Sequence, residues 1–162
     1  MRLFRVTTQP QRAAAFDGVG ASLYPGRWNE RGRRVVYTTS RLPLGILEVM
    51  VQASASQLAG FVAYPLDVPD DALVALDRAR LSTTWRSVTG RDECRGLGEE
   101  WRASVASLGL VVPSAVVPQA YDFGDVNVVL DPLHADFPRV TVGEPIALDL
   151  DPRLHALVAP AG

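Results

Sequence analysis

The sequence predicts an α+β domain. Short apolar strands are mixed irregularly with two or three helices, regular βαβ alternation is absent, and the second half is a run of strands separated by Pro, Gly and Asp turns. A chain of 162 residues with 48% hydrophobic content is one ordinary domain, long enough to bury roughly 70% of its unfolded surface. The expected domain runs from residue 1 to 157, with a frayed tail from Val158.

Arg2 to Val6 alternates polar and apolar residues as a half-buried strand does. Pro10 to Asn29 carries Gly18, Gly20, Pro25 and Gly26 and reads mostly as loop, with a short helix at Arg12 to Phe16. Val35 to Thr38 is the next strand and leads almost directly into a helix. Ser40 is placed to cap that helix, Pro43 is tolerated in its first turn, and it is expected to end by Ser54 to Gln57. Phe61 to Val68 reads as a strand closing at Pro69, and Asp70 to Leu76 as a short helix capped by Asp70. Trp85 stands in a polar stretch. Glu93 to Leu108 has helical composition, with Trp101 and Val105 at i, i+4, weakened by Gly96 and Gly98 and stopped at Gly109. Short strands follow at Leu110 to Val112, Val116-Val117, Asn127 to Leu130, Arg139 to Val142 and Pro145 to Leu150.

A formal charge of −2 suggests neither a polyanion partner nor a membrane surface. No nucleic-acid binding and no membrane association are expected. The arginine cluster Arg27, Arg31, Arg33 and Arg34 is short enough to be a solvated turn. The start lacks a signal-peptide apolar region, and the single cysteine, Cys94, cannot form an internal disulfide, so a reducing cytoplasm is expected. His134 and His155, without a carboxylate cluster nearby, predict no metal site.

Between Arg41 and Asp67 the sole charged residue is Glu48. Leu44, Leu47, Glu48 and Val51 follow the spacing of one helical face, which places the carboxylate on the stripe expected to point inward. Burying an ionised carboxylate without partners costs several kcal/mol or more, so Glu48 is neutral, paired with a cation, or open to a cleft where a ligand meets it. The cleft is the reading adopted.

Other residues fit such a cleft. Gly26-Arg27-Trp28-Asn29 is a dense polar and aromatic loop before the Tyr37 strand, and the planar fork of Arg27 suits bidentate contact with phosphate oxygens. The bland alternatives are Arg27 packed over Trp28 at the surface and Trp28 as core. Tyr37 precedes the Glu48 helix, so its ring and the carboxylate can open onto one space suited to a flat cation. Ser114 lies in Val112 to Pro118, between prolines that fix its backbone. As a nucleophile it is unsupported, because GxSxG is absent. Gly18-Val19-Gly20 lacks the third glycine of a dinucleotide fingerprint, and no GxxxxGK[ST] occurs, so phosphate binding has to use side chains.

Taken in order, GRWN at Gly26 to Asn29, VVYT at Val35 to Thr38, LGILEVMV at Leu44 to Val51, VPSAVVP at Val112 to Pro118 and NVVLDPLH at Asn127 to His134 resemble the RES domain family, named for its Arg, Glu and Ser. The match is nearly full-length and includes Val68 to Leu73 and Gly98 to Trp101. One departure is Asp131, which stands where the family usually has Asn before Pro-x-His.

The resemblance implies the toxin of a bacterial type II toxin–antitoxin pair, with a fold similar to ADP-ribosyltransferases of the diphtheria-toxin kind. It implies NAD⁺ as substrate, without a metal, cleaved at the nicotinamide–ribose bond by hydrolysis or phosphorolysis. By the same carry-over Glu48 serves the ribose and the developing cation, Arg27 the phosphates or ribose, Tyr37 the nicotinamide ring, and Ser114 the orientation of substrate or Glu48. Trp28 and Asn29 join Arg27 as candidate NAD⁺ contacts. A small Xre-type helix-turn-helix antitoxin is the implied partner, with room for a homo-oligomer within the complex. A mono-ADP-ribosyltransferase acting on a cellular protein is the alternative enzyme. A non-enzymatic interaction module, with Glu48 paired internally to an arginine, is the alternative from another class.

Overall fold

The computed structural model describes residues 1–52 and 60–154. Among the described residues eight strands form one sheet: β1 Arg2–Thr7, β2 Val36–Thr39, β3 Val62–Asp67, β4 Leu73–Ala75, β5 Gly109–Val112, β6 Asn127–Leu130, β7 Thr141–Val142 and β8 Ile146–Ala147. Their order is β4-β5-β6-β2-β1-β3-β7, with β8 also on β3. Only β4 and β5 run parallel; every other pair is antiparallel. Four short helices accompany the sheet among the described residues: α1 Arg12–Phe16, α2 Val19–Leu23, α3 Leu42–Met50 and α4 Arg91–Ser104. The expected α+β class is the observed one.

The two faces of the sheet are filled differently, as the period of two along each strand requires. Leu3, Val36, Tyr64, Leu66, Val128 and Leu130 point to one side, where Ala15 and Phe16 of α1 complete a single core. The opposite face carries two separate clusters. Over β2, β5 and β6, Val129, Leu110 and Val112 meet Trp28 and the Cys94, Leu97 and Trp101 side of α4. Over β1 and β3, Val6 and Ala63 meet Met50 and Phe61, with Leu42, Ile46 and Val49 of α3 packed alongside. The seam between these clusters is where the polar residues of interest gather.

Several sequence expectations are corrected. Leu44 is buried as expected, but the stripe of α3 that packs on β1 and β3 is Leu42, Ile46, Val49 and Met50, with Gly45 pressed against Val6 and Thr39. Leu47 and Val51 are 42% and 61% exposed. Glu48 therefore flanks the buried stripe instead of lying on it, because β1 and β3 engage the face that begins at Leu42. Ser40 does not cap α3. Arg41 holds the cap position, and the Ser40 hydroxyl accepts from the Val126 N–H, tying the start of α3 to β6. The helix ends at Met50; the expected Ser54 to Gln57 terminus and the tail from Val158 lie outside the described residues.

Further along, Asp70–Ala72 is only a 3₁₀ turn, and the residues after it form β4, since Leu73 to Ala75 find a parallel partner in β5. Helix α4 stops at Val105, in the left-handed region at φ 51°, four residues before Gly109. His134 supports that strained cap, its Nε2 lying 3.2 Å from the Val105 carbonyl. Because His134 Nδ1 accepts from the Asp136 N–H, Nε2 is the donor in this pair. Val105 is exposed, so the inward Trp101–Val105 spacing does not hold. Val116-Val117 is not a strand, and a 3₁₀ turn, Pro118–Phe123, follows it. Arg139 likewise ends a 3₁₀ turn ahead of β7.

One close approach fixes the loop that bears Arg27. A Cβ at Gly98 on α4 would lie 2.0 Å from the Trp28 carbonyl oxygen, with backbone on both sides. Gly98→Ala is therefore expected to destabilise the fold despite the gain in helix propensity of about 1 kcal/mol. Overpacking of this kind costs about 1–3 kcal/mol, which corresponds to a melting point lowered by roughly 2–12 °C in a domain of this size before the propensity gain is set against it. Calorimetry checks this, and an unchanged or raised melting point would show that the loop yields.

Candidate functional site

Glu48 projects from the flank of α3 into the seam, half-buried. Its Oε1 accepts two hydrogen bonds from residues far away in sequence: the Ser114 hydroxyl at 2.6 Å and the Asn127 Nδ2 at 2.7 Å. Among the described residues no arginine lies within ion-pair distance of it. One carboxylate oxygen is thus anchored by neutral donors, and no described residue donates to Oε2. The internal pairing of Glu48 with an arginine, the alternative considered from sequence, is not formed among the described residues.

Ser114 is completely buried, and its hydroxyl has no freedom. The N–H groups of Val116 and Val117 donate to Ser114 Oγ at 3.1 and 3.0 Å, occupying its lone pairs. The single hydroxyl proton is left to point at Glu48. Pro113 and Pro118 bracket this turn, so the sequence reading of a serine held by fixed backbone describes the observed arrangement. Its part in the structure is to orient a carboxylate.

Asn127 was missed as a site residue. It begins β6, paired with Thr39 of β2 and Val112 of β5, and faces the seam on the same side as Val129. Its side chain is buried, and its Oδ1 has no donor among the described residues. Turning the amide over would set that oxygen against Oε1 of Glu48, so the donor orientation is the one the carboxylate selects. The signal that could have found it is a polar residue opening the otherwise apolar NVVL strand, since a buried amide demands a partner.

The GRWN loop lies at the other cluster. Trp28 is buried and stacks in tilted fashion against Trp85, with ring centroids 6.2 Å apart. It is core, as the bland reading held. Asn29 is fully buried, with Nδ2 donating to the carbonyls of Ala21, Glu30 and Arg33 and Oδ1 accepting from Gly26 N–H and the Tyr37 hydroxyl. Every valence of that amide is spent on the fold. The Tyr37 hydroxyl also accepts from the Trp28 N–H at 3.0 Å, and burial pushes it well above the usual phenol range. Tyr37 is half-buried against the Trp28 cluster with its hydroxyl committed. Arg5 fixes the main chain beneath it: β1 and β2 pair only at Phe4 and Thr39, and beyond that point Arg5 donates to the Tyr37 carbonyl at 3.0 Å. Burial lowers this guanidinium to about 10, so it remains charged at neutral pH.

Arg27 reaches the segment after β4. Its Nη1 donates to the carbonyls of Trp85 and Ser87, its Nη2 to that of Arg86 at 3.0 Å, and its guanidinium carbon lies 5.8 Å from the centre of the Trp85 ring. Three of its five N–H groups therefore latch the 85–87 segment, leaving Nε and one Nη2 hydrogen. That segment in turn leans on the Ser114 turn, since Arg86 Nε donates to the Ala115 carbonyl at 3.1 Å. A cleft of about 190 Å³ is lined by Arg78, Leu81, Ser82, Thr83 and Trp85 on one side and Pro113 and Pro118 on the other, so Glu48, Arg27, Tyr37 and Ser114 do not line it. Among the described residues there is no group of three or more His, Cys, Asp or Glu that could hold a metal ion. No helix among them is long and apolar enough to cross a membrane.

Fold and site together define an α+β domain with a half-buried carboxylate at a sheet seam, anchored on one oxygen by a serine and an asparagine. A model of the RES domain matches residues 2–151, and the chain belongs to the RES domain family. It is 33% identical over 156 residues to "Toxin Res" of Yersinia enterocolitica, covering 95% of this chain and 99% of that one. It is 36% identical over 138 residues to "Toxin Res" of Photorhabdus laumondii, covering 85% of each. It is also 28% identical over 157 residues to the "Prs ADP-ribosylating toxin" of a Sphingobium strain, covering 93% of this chain and 94% of that one. In fold it resembles a chain of the M. tuberculosis MbcT–MbcA toxin–antitoxin complex, with a TM-score of 0.72 and 19% identity over 99% of this chain and 89% of that one.

Proposed function

We propose that this chain is the toxin of a bacterial type II toxin–antitoxin pair and that it depletes cytoplasmic NAD⁺ by cleaving the nicotinamide–ribose bond. The observation that carries the reading is the double anchoring of Glu48 Oε1 by Ser114 and Asn127. Breaking the C1′–N bond sends its electron pair to nicotinamide, which leaves neutral, and positive charge develops on the ribose. A carboxylate held still beside that carbon lowers the barrier without reorganising as the charge appears. The Tyr37 ring supplies a face for the nicotinamide, and Ser114 keeps Glu48 in register. Arg27 fixes the segment beside the ribose through the carbonyls of residues 85–87. The family name and the toxin names of the relatives support the same reading.

Water or phosphate then adds at the vacated carbon, giving ADP-ribose and a released proton or ADP-ribose 1-phosphate. Incubating the purified chain, stripped of any co-purified protein, with labelled NAD⁺ is expected to release nicotinamide, with the remaining label in one of those small products. Label that precipitates with a protein supports instead a mono-ADP-ribosyltransferase, which the name of the Sphingobium relative favours. No nicotinamide at all overturns both and favours a non-enzymatic interaction module. A small helix-turn-helix antitoxin is the proposed partner, supported by the fold neighbour having been solved as a toxin–antitoxin complex.

A further inference from the structure

The sequence pointed to Arg27 as the anion clamp, yet most of that guanidinium is bound to backbone carbonyls at 85–87. The neighbouring Arg86 is in the opposite condition. It is exposed, it spends only Nε, on the Ala115 carbonyl, and neither of its Nη groups has a partner among the described residues. That one bond sets the direction of the guanidinium while leaving its forked edge open. Ala115 is the residue after Ser114, whose hydroxyl touches Glu48. Neither Arg27 nor Arg86 is within ion-pair distance of a described carboxylate, and Arg86 is tied through Ala115 to the turn whose Ser114 anchors Glu48.

We propose, building on the NAD⁺ reading above, that Arg86 is the residue that clamps the diphosphate of the dinucleotide, with Arg27 as the latch that presents it. A planar fork with both terminal nitrogens free matches two oxygens of a diphosphate, and the Nε tether lowers the entropy lost on forming those bonds. The clamp acts on a part of the substrate that does not change charge during cleavage. Its contribution is therefore equal in ground and transition states and appears in KM.

The test uses the purified full chain and two substitutions, Arg86→Gln and Arg86→Lys, with nicotinamide release followed against NAD⁺ concentration. Arg86→Gln is expected to raise KM about 10- to 100-fold, the range for losing charge-assisted hydrogen bonds, with kcat within about threefold of wild type. Arg86→Lys, which keeps the charge and loses the fork, is expected to fall between. Inorganic pyrophosphate is expected to compete with NAD⁺ on the wild type and to lose that competition in Arg86→Gln by a similar factor. A KM within about twofold of wild type, or a loss confined to kcat, overturns the proposal. If the wild type releases no nicotinamide, the enzymatic reading fails by itself. Calorimetric titration of pyrophosphate into wild type and Arg86→Gln then decides the clamp separately, and equal binding to both overturns it.

Discussion

Replacing Glu48 with Gln is expected to leave a folded protein whose nicotinamide release falls by about 100- to 1,000-fold, the scale on which preorganised electrostatic groups contribute. The substitution is conservative for the structure because the anchoring is one-sided. Ser114 and Asn127 both donate to Oε1, and the carbonyl oxygen of a glutamine can accept both bonds unchanged. The amide nitrogen then occupies the Oε2 position and presents two donors to a ribose that is gaining positive charge. Shape is kept and the sign of the field is reversed. The melting temperature should therefore stay within a few degrees of wild type while kcat collapses and KM moves little. Turnover near the wild-type rate would sink the assignment of Glu48, and a large fall in melting temperature would mean that the carboxylate serves the fold.

How much of this was legible in the sequence depends on whether the governing contacts are local. The strands at Arg2, Phe61, Leu110 and Asn127 announced themselves by apolar patterning, and no end of theirs differs from the expectation by more than one residue. Glu48 stood out because one charge in a long apolar stretch is conspicuous even when its helical face is misjudged. The misjudgement has a physical cause: a nine-residue helix has only two and a half turns, and which stripe is buried is set by the strands beneath it. Asn127 was passed over, and Asn29 was assigned to the ligand instead of the fold, for a related reason. Asn127 meets a residue 79 positions away, and Asn29 closes a loop whose carbonyls converge only after folding. Strand β4 was read as helix because its parallel partner, β5, lies more than thirty residues downstream, beyond the reach of any local pattern. Arg27 was found by its motif, but that its fork is largely spent on three carbonyls is a property of the 85–87 segment and not of GRWN.

Asn127→Asp is the more severe test of the site, because it turns the donor that anchors Glu48 into a second carboxylate. The contact at 2.7 Å cannot be held by two ionised groups in a half-buried seam. The pair is expected to bind one shared proton with an apparent pKa above the ordinary carboxylate range, and that value belongs to both residues together. The sign of the pH dependence follows. Because the folded pair holds its proton more tightly than the unfolded chain does, its contribution to stability is present at low pH and is lost as pH rises through the raised pKa. Asn127→Ala removes the donor without adding charge, so its melting temperature should show no such pH dependence beyond that of wild type. At neutral pH, Asn127→Asp is expected to lose nicotinamide release by about 100-fold or more, either because the shared proton neutralises Glu48 or because repulsion drives it from the seam. Asn127→Ala should lose about tenfold, since Ser114 still holds Oε1. Melting curves and nicotinamide release from pH 5 to 8 on both variants separate the charge effect from the positioning effect. Equal losses with parallel pH profiles would mean that Asn127 does no more than fill space at the start of β6.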